Sequence, residues 1–215
     1  MPVSRETASP EQAVLDRYWP GDASAIKRYV ELLSHVGPAR GLIGPREVER
    51  LWVRHIFNCV VLSPLIEADA AVADIGSGAG LPGLVLASAR ADLSMTLVEP
   101  MLRRSIFLHE AVETMKLRNT HVVRVRAEQL HGTQCFTVVT ARALAPLERL
   151  VRWCLPLVSP GGCLLAMKGN RGSEELNAAR PYLRDLGVVD ADIVSVGAGV
   201  LPEPTTVVRI VSPRW

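Results

Sequence analysis

Four glycines fall within eight positions in GSGAGLPG, residues 76–83, directly after the apolar run AAVADI at 70–75. Glycine reaches left-handed backbone conformations without a Cβ penalty and lets the main chain approach a ligand closely. A cluster of this density after an apolar strand therefore predicts a strand–turn–helix unit holding a nucleotide-like cofactor at the carboxyl end of the strand. The competing reading is that the glycines serve only a tight turn. The acid just ahead of the first glycine, Asp74, bears on which reading holds.

The pattern around the loop defines the fold class. AAVADI, MTLVE (95–99), HVVRV (121–125), FTVVTAR (136–142) and GGCLLAMK (161–168) read as aliphatic and β-branched strands, with helical stretches such as MLRRSIFLHEAVETM between them. Strands alternating with helices imply a parallel sheet covered on both faces. The tail differs: VVDADIVSV and TTVVRIV flank a Gly/Pro-rich loop with no helix between, which predicts an antiparallel hairpin. Before residue 68 there is helical periodicity and no strand signal. Ile26, Tyr29, Val30 and Leu33 share a helical face behind Asp22, a candidate N-cap. Pro45 suits the first position of a second helix, REVERLWVRHIFNCVVL. The expected organisation is a small N-terminal helical extension, 1–67, and an α/β, Rossmann-like domain, 68–215.

Composition narrows the class further. With 48% hydrophobic and 21% charged residues and a net charge of +2, the chain reads as a globular domain with a sizeable core. The polar start MPVSRETASPEQ is not a secretory signal, and no uncharged apolar run is long enough to cross a bilayer. Cys59, Cys135, Cys154 and Cys163 form no CxxC pair and no metal-like spacing. They read as small buried hydrophobes in a reducing compartment. The expectation is a cytoplasmic monomer with no metal and no membrane contact.

GAGLPG at 78–83 matches the dinucleotide fingerprint, with Glu99 roughly where its ribose-binding acid stands. Three features favour S-adenosylmethionine instead. Asp74 begins the pattern D-x-G-x-G-x-G; a carboxylate there repels a diphosphate but attracts an ammonium and a sulfonium. Glu99 ends the second strand, where its oxygens can accept bonds from ribose hydroxyls. Ala127 and Glu128 follow the third strand, where the adenine edge should lie. The tail hairpin also suits a methyltransferase sheet better than a dehydrogenase. A nicotinamide-dependent oxidoreductase remains the alternative from another class.

These residues carry a resemblance. DIGSGAGLPGLVLA, the RAE at 126–128, VVTARALAPL at 138–147, GGCLLAMKG at 161–169 and the RHI at 54–56 resemble the bacterial small-subunit (16S) ribosomal RNA guanine-N7 methyltransferases, the glucose-inhibited division protein B family. The resemblance covers nearly the whole chain. It implies methyl transfer from S-adenosylmethionine to N7 of a guanine in 16S ribosomal RNA, free or in a small-subunit assembly particle. It also implies that Gly76, Leu81, Ala127, Glu128 and Arg142 contact the cofactor, joining Gly78 and Glu99 of the loop reading. Two departures stand out: Thr137 where the family commonly has an acid, and Asn58–Cys59 where it has Asp-Ser. The first weakens any role for a carboxylate on that strand. The second leaves the chemistry of the N-terminal element open.

Guanine N7 offers a free lone pair in the major groove, so its methylation needs alignment and no general base. The sequence is compatible. After FTVVTAR there is no Asn/Asp-Pro-Pro-aromatic motif, as adenine amino methylation would want, and no Pro-Cys nucleophile, as pyrimidine carbon methylation would need. A methyltransferase acting on a small molecule stays the alternative within the same class. For RNA, Arg54 and His55 of the second helix and Lys168 and Arg171 at a strand end are the candidate contacts. Arg46, Arg50 and Arg54, four apart, would form one basic ridge on that helix.

Overall fold

The structure, a computed structural model, describes residues 9–142, 144–188 and 190–213. The first eight residues of the polar N-terminus and Val189 of the tail therefore lie outside it. Seven strands form one sheet: β1 (Ala71–Ile75), β2 (Ser94–Val98), β3 (Thr120–Val123), β4 (Phe136–Arg142), β5 (Val158–Lys168), β6 (Ala191–Val196) and β7 (Thr205–Val211). Their order is β3-β2-β1-β4-β5-β7-β6. The first five are parallel, whereas β7 runs antiparallel to both β5 and β6. The tail hairpin thus forms, with its second strand inserted next to β5. The strand order reverses between β1 and β4, and in open α/β sheets that is where the carboxyl ends leave a crevice for a ligand.

The two-residue period of the strands sorts their side chains onto two cores. On one face Val72, Met95, Leu97, Val138, Leu165 and Met167 pack beneath α4 (Gly83–Ala89) and α5 (Leu102–Met115). On the other, Ala73, Ile75, Val139, Ala141, Leu164 and Ala166 pack against α6 (Leu147–Cys154) and α7 (Gly172–Asp185). The result is a three-layer sandwich with helices on both faces.

The N-terminal residues join the first of these cores. From α1 (Pro10–Tyr18) and α2 (Ser24–Val36) come Val14, Leu15, Ile26, Tyr29 and Leu33, all buried with the α4 and α5 side chains. The indole N–H of Trp19 donates to Ser88 of α4 at 3.0 Å, and the Arg28 guanidinium caps the last carbonyls of α5 at Thr114 and Met115. Asp22 does bond the amide of Ser24 at 2.7 Å, although the helix begins at Ser24 itself and Ala23 is its N-cap.

The expected second helix does not form with one pitch. Pro45–Arg50 is a 3₁₀ segment, Leu51–Phe57 is π-helical, and only Asn58–Val60 (α3) returns to α geometry. At three residues per turn, Arg46 and Arg50 point about 120° apart. The expected ridge of Arg46, Arg50 and Arg54 is therefore broken. What the widened turn achieves is burial of Leu51, Ile56 and Phe57 on one side while the Arg54 carbonyl and the His55 ring turn towards Arg142 of β4. Among the described residues no helix is long and apolar enough to cross a membrane, and no cluster of three metal-ligating side chains occurs.

Candidate active site

β1 delivers the glycine turn to the carboxyl edge, and three glycines there take left-handed backbones: Gly76 (φ 69°), Gly78 (φ 58°) and Gly80 (φ 93°). Their surroundings differ. A Cβ on Gly76 would start 2.6 Å from a methyl of Leu144, and one on Gly80 would run into Leu84. A Cβ on Gly78 would meet nothing nearer than the Gly76 carbonyl at 3.7 Å. Gly78 therefore presents bare backbone to open space, as a loop that receives a ligand must.

Two carboxylates brace this loop from below. Asp74 is 1% exposed. Its Oδ2 accepts the amide of Gly83 at 3.0 Å, the first residue of α4, and its Oδ1 lies 3.4 Å from the Thr140 hydroxyl. Burial pushes its carboxyl up to about 6, against the pull of Gly83, Ser77, Thr140 and Arg142. Asp74 thus ties the end of β1 to the start of α4 beneath the loop. Glu99 is 2% exposed. Its Oε2 accepts the Gly78 amide at 3.0 Å and its Oε1 the Met101 amide at 2.9 Å, with Arg104 3.8 Å away. The acid expected to meet a ribose is already the tie that holds Gly78 in place.

A third brace comes from the extension: the Tyr29 hydroxyl, fully buried, donates to the Ala79 carbonyl at 2.6 Å. Sequence reading placed Tyr29 on an apolar face and missed this bond, because nothing local pairs a helix residue with a loop 50 positions later. Leu81 is half-buried against the first core. Ala127 (7% exposed) and exposed Glu128 open a short 3₁₀ turn, Ala127–Leu130, just past the end of β3, one strand beyond Glu99.

Beside the loop lies a cavity of about 820 Å³ between the extension, the carboxyl end of β4 and the β6–β7 turn. Arg54, Asn58, Arg142, Leu144, Lys168 and Glu203 are among its lining residues. Leu144 is shared: it lines the cavity and packs over Gly76, so one side chain touches both cavity and glycine turn. Asn58 closes one wall, accepting the Thr205 hydroxyl at 2.6 Å and donating to the Arg54 carbonyl at 2.8 Å. This bond joins residues 147 apart, and the departure Asn58–Cys59 gave no hint of it. The Cys59 thiol beneath is pushed up to about 11 by burial, so it is no nucleophile at neutral pH.

The four candidate RNA contacts separate here. Arg54 is 57% exposed on the cavity rim, 3.4 Å from Glu47. The Lys168 side chain is only 8% exposed: its ammonium donates to the Ala145 carbonyl at 2.6 Å and pairs with Glu175 at 2.8 Å. Glu175 in turn accepts the Leu147 amide, so Lys168 staples the 144–147 turn to α7 instead of reaching out. Arg171 is 77% exposed and paired with Glu174, outside the cavity lining. His55 is 12% exposed and also outside it, bonded to Arg142 and Glu47.

Residues 22–202 match the family model described as rRNA small subunit methyltransferase G. The chain is 52% identical over 209 residues to the ribosomal RNA small subunit methyltransferase G of Nocardioides sp., covering 97% of this chain and 84% of that one. It is 55% identical over 184 residues to the protein of the same name from Thermobifida fusca, covering 86% and 78%. Among solved structures, the cofactor-bound Rv0187 from MTB superposes with a TM-score of 0.59 at 18% identity, over 97% of this chain and 100% of that one. A ribosomal protein L11 methylase from Lactobacillus delbrueckii subsp. bulgaricus gives 0.56 at 12% identity, over 74% and 77%. At such identities the structures share the fold alone, while the sequence relatives reach further: the chain belongs to the rRNA small subunit methyltransferase G, or GidB, family.

Proposed function

We propose that the protein transfers a methyl group from S-adenosylmethionine to N7 of a guanine in 16S ribosomal RNA, in the cytoplasm and as a monomer. The observation that carries this reading is the shared wall: the open glycine turn and a basic-rimmed cavity meet across Leu144. The residues present fit the cofactor. Gly78 leaves its backbone uncovered, Glu99 stands at the strand end for the ribose, and Asp74 supplies negative field under a ligand bearing two positive centres. Gly76, Leu81, Ala127, Glu128 and Arg142 complete the cofactor contacts of this reading. When bound, the cofactor supplies an electrophilic methyl on its sulfonium. The chain's part is to hold the acceptor in line with it and exclude water. Arg54 and Arg142 are the cations that the cavity offers to phosphate or to the base.

Tritiated methyl transfer to small-subunit RNA and to intact small subunits, followed by nucleoside analysis, tests the reading. The expected product is 7-methylguanosine; label in adenine, pyrimidine or ribose rejects the assignment. Since N7 carries no proton, the maximal rate should stay nearly flat from about pH 6.5 to 8.5. Arg142→Ala should lower it at every pH in that range, by about tenfold or more, because a positioning contact is lost.

Glu99 offers a test at the cofactor end. Glu99→Ala should weaken S-adenosylmethionine by about 1.5–3 kcal/mol, the range for bonds to a charged group. Glu99→Gln should fall closer to Ala than to the parent. It keeps one acceptor, but its amide N–H₂ must face one of the two backbone N–H donors. Calorimetric titration decides, and parent-like binding in both variants removes Glu99 from the site.

A further inference from the structure

Arg142 is seated by groups that approach its guanidinium from the N-terminal extension. One terminal nitrogen lies 2.6 Å from Nδ1 of His55 and 3.4 Å from the Arg54 carbonyl; the other is 3.3 Å from the sulfur of Cys59. A guanidinium has donors only. Nδ1 must therefore be bare and accept, which leaves the imidazole proton on Nε2. That atom faces Oε2 of Glu47 at 2.8 Å. The chain Arg142–His55–Glu47 thus runs in one direction and exists with one tautomer. His55 lies outside the cavity lining and is nearly covered, while Arg142 lines it.

We propose, resting on the methyltransferase reading above, that His55 is a positioning residue for Arg142 rather than an RNA contact. Its neutral Nε2–H tautomer seats the guanidinium at the cavity, and a proton on Nδ1 unseats it. The turn that carries His55 has the same logic: the π-helical segment Leu51–Phe57 presents both the Arg54 carbonyl and His55 Nδ1 to one guanidinium.

The charges around the pair agree. A second proton on the ring would place two cations 2.6 Å apart. Burial and Arg142 hold the imidazole below its ordinary value, Glu47 opposes them, and Arg54 adds to the lowering. The Cys59 thiol under Arg142 stays neutral, being pushed up to about 11. On β1, Asp74 feels Arg142 and titrates near 6. Across the cavity stand Lys168, Glu175 and Glu203. A lowered base stays neutral through the plateau and takes up its proton only below the ordinary histidine value of about 6.5. The seat of Arg142 is therefore intact at neutral pH and lost on acidification.

The test follows the protein at saturating S-adenosylmethionine from pH 5 to 8.5 by two measurements: the ring-nitrogen NMR shifts of His55, assigned by their absence in His55→Gln, and the maximal rate of methyl transfer to small-subunit RNA. At pH 7.5 Nδ1 should be unprotonated and Nε2 protonated. Below the plateau the rate should fall about tenfold per pH unit, with a midpoint that coincides with the ring titration. Glu47→Gln removes the carboxylate that favours the charged ring, so both midpoints should move to lower pH together. Asp74 has no such link to Glu47 and cannot produce that joint shift. His55→Gln should lower the plateau rate about tenfold or more and abolish the acid limb, with its urea midpoint confirming that it folds. A ring protonated at Nδ1 at pH 7.5, a limb that stays in place in Glu47→Gln, or a limb that survives in His55→Gln overturns the proposal. Failure of the functional reading looks different: no methylated RNA at any pH, while the ring spectrum still decides the tautomer.

Discussion

Gly78→Val should lower the affinity for S-adenosylmethionine by more than about a hundredfold, roughly 3 kcal/mol. Two effects combine. Gly78 sits at φ 58°, where a β-branched residue is a steric outlier. Its Cβ and methyls would also fill the open space over the turn, where the backbone is otherwise uncovered. The backbone strain alone costs about 1–2 kcal/mol of stability. Gly78→Asn separates the two terms, since asparagine tolerates the left-handed region yet still projects a side chain over the turn. The variant with asparagine should unfold at nearly the parent's urea concentration while binding the cofactor far more weakly. Cofactor affinity within threefold of the parent in both variants would place the ligand elsewhere. The same experiments with a nicotinamide dinucleotide as ligand exclude the oxidoreductase reading if the parent shows no binding.

The second large effect concerns Asp74, and here stability and function should move in opposite directions. Its carboxyl is raised from 3.8 to about 6 by burial. A group raised on folding contributes stability that is complete below its unfolded-state value and is lost as pH rises through the folded value. At pH 7.5 the native chain therefore carries a buried charge that costs of the order of 2–3 kcal/mol relative to the neutral form. Asp74→Asn removes the charge and keeps the geometry: the amide oxygen can accept the Gly83 N–H while the amide nitrogen faces the Thr140 hydroxyl. The variant should unfold at higher urea than the parent at pH 7.5, with the gap narrowing as the pH falls below about 6.

The cost of keeping that charge should appear in binding. Asp74→Asn is expected to weaken S-adenosylmethionine more than S-adenosylhomocysteine, because only the former carries a sulfonium that the buried carboxylate attracts. Urea titrations at pH 5 and 7.5 with calorimetry of both ligands measure the two halves. A variant less stable than the parent at pH 7.5, or one that loses affinity equally for both ligands, reduces Asp74 to a cap on α4.

Much of the fold was legible in the sequence because its signals are local. Alternation in FTVVTAR and TTVVRIV, and the glycines after AAVADI, report on a strand's two faces and on left-handed backbone within a few residues of where they act. The same holds for the absence of a helix between the tail strands, which made a hairpin readable. What the hairpin did not reveal is that β7 would lie between β5 and β6, a choice made by burial of Val207, Val208 and Ile210 against both cores.

The roles of the polar residues were decided elsewhere. The positions of Asp74 and Glu99 are evident from the loop pattern, but that one bonds Gly83 and the other Gly78 depends on how β1 and β2 pack side by side. Lys168 reads as a free cation until α7 brings Glu175 to it. His55 meets a second cation only because β4 brings Arg142 to its ring. A helical pattern at 45–61 cannot announce that its middle widens to π geometry, since the gain comes from residues it meets only in the folded chain. Sequence alone therefore determined which chemistry-bearing side chains reach the carboxyl edge of the sheet. The tertiary structure decided which of them remain available there, because a charged group near a core is captured by whatever partner folding places beside it.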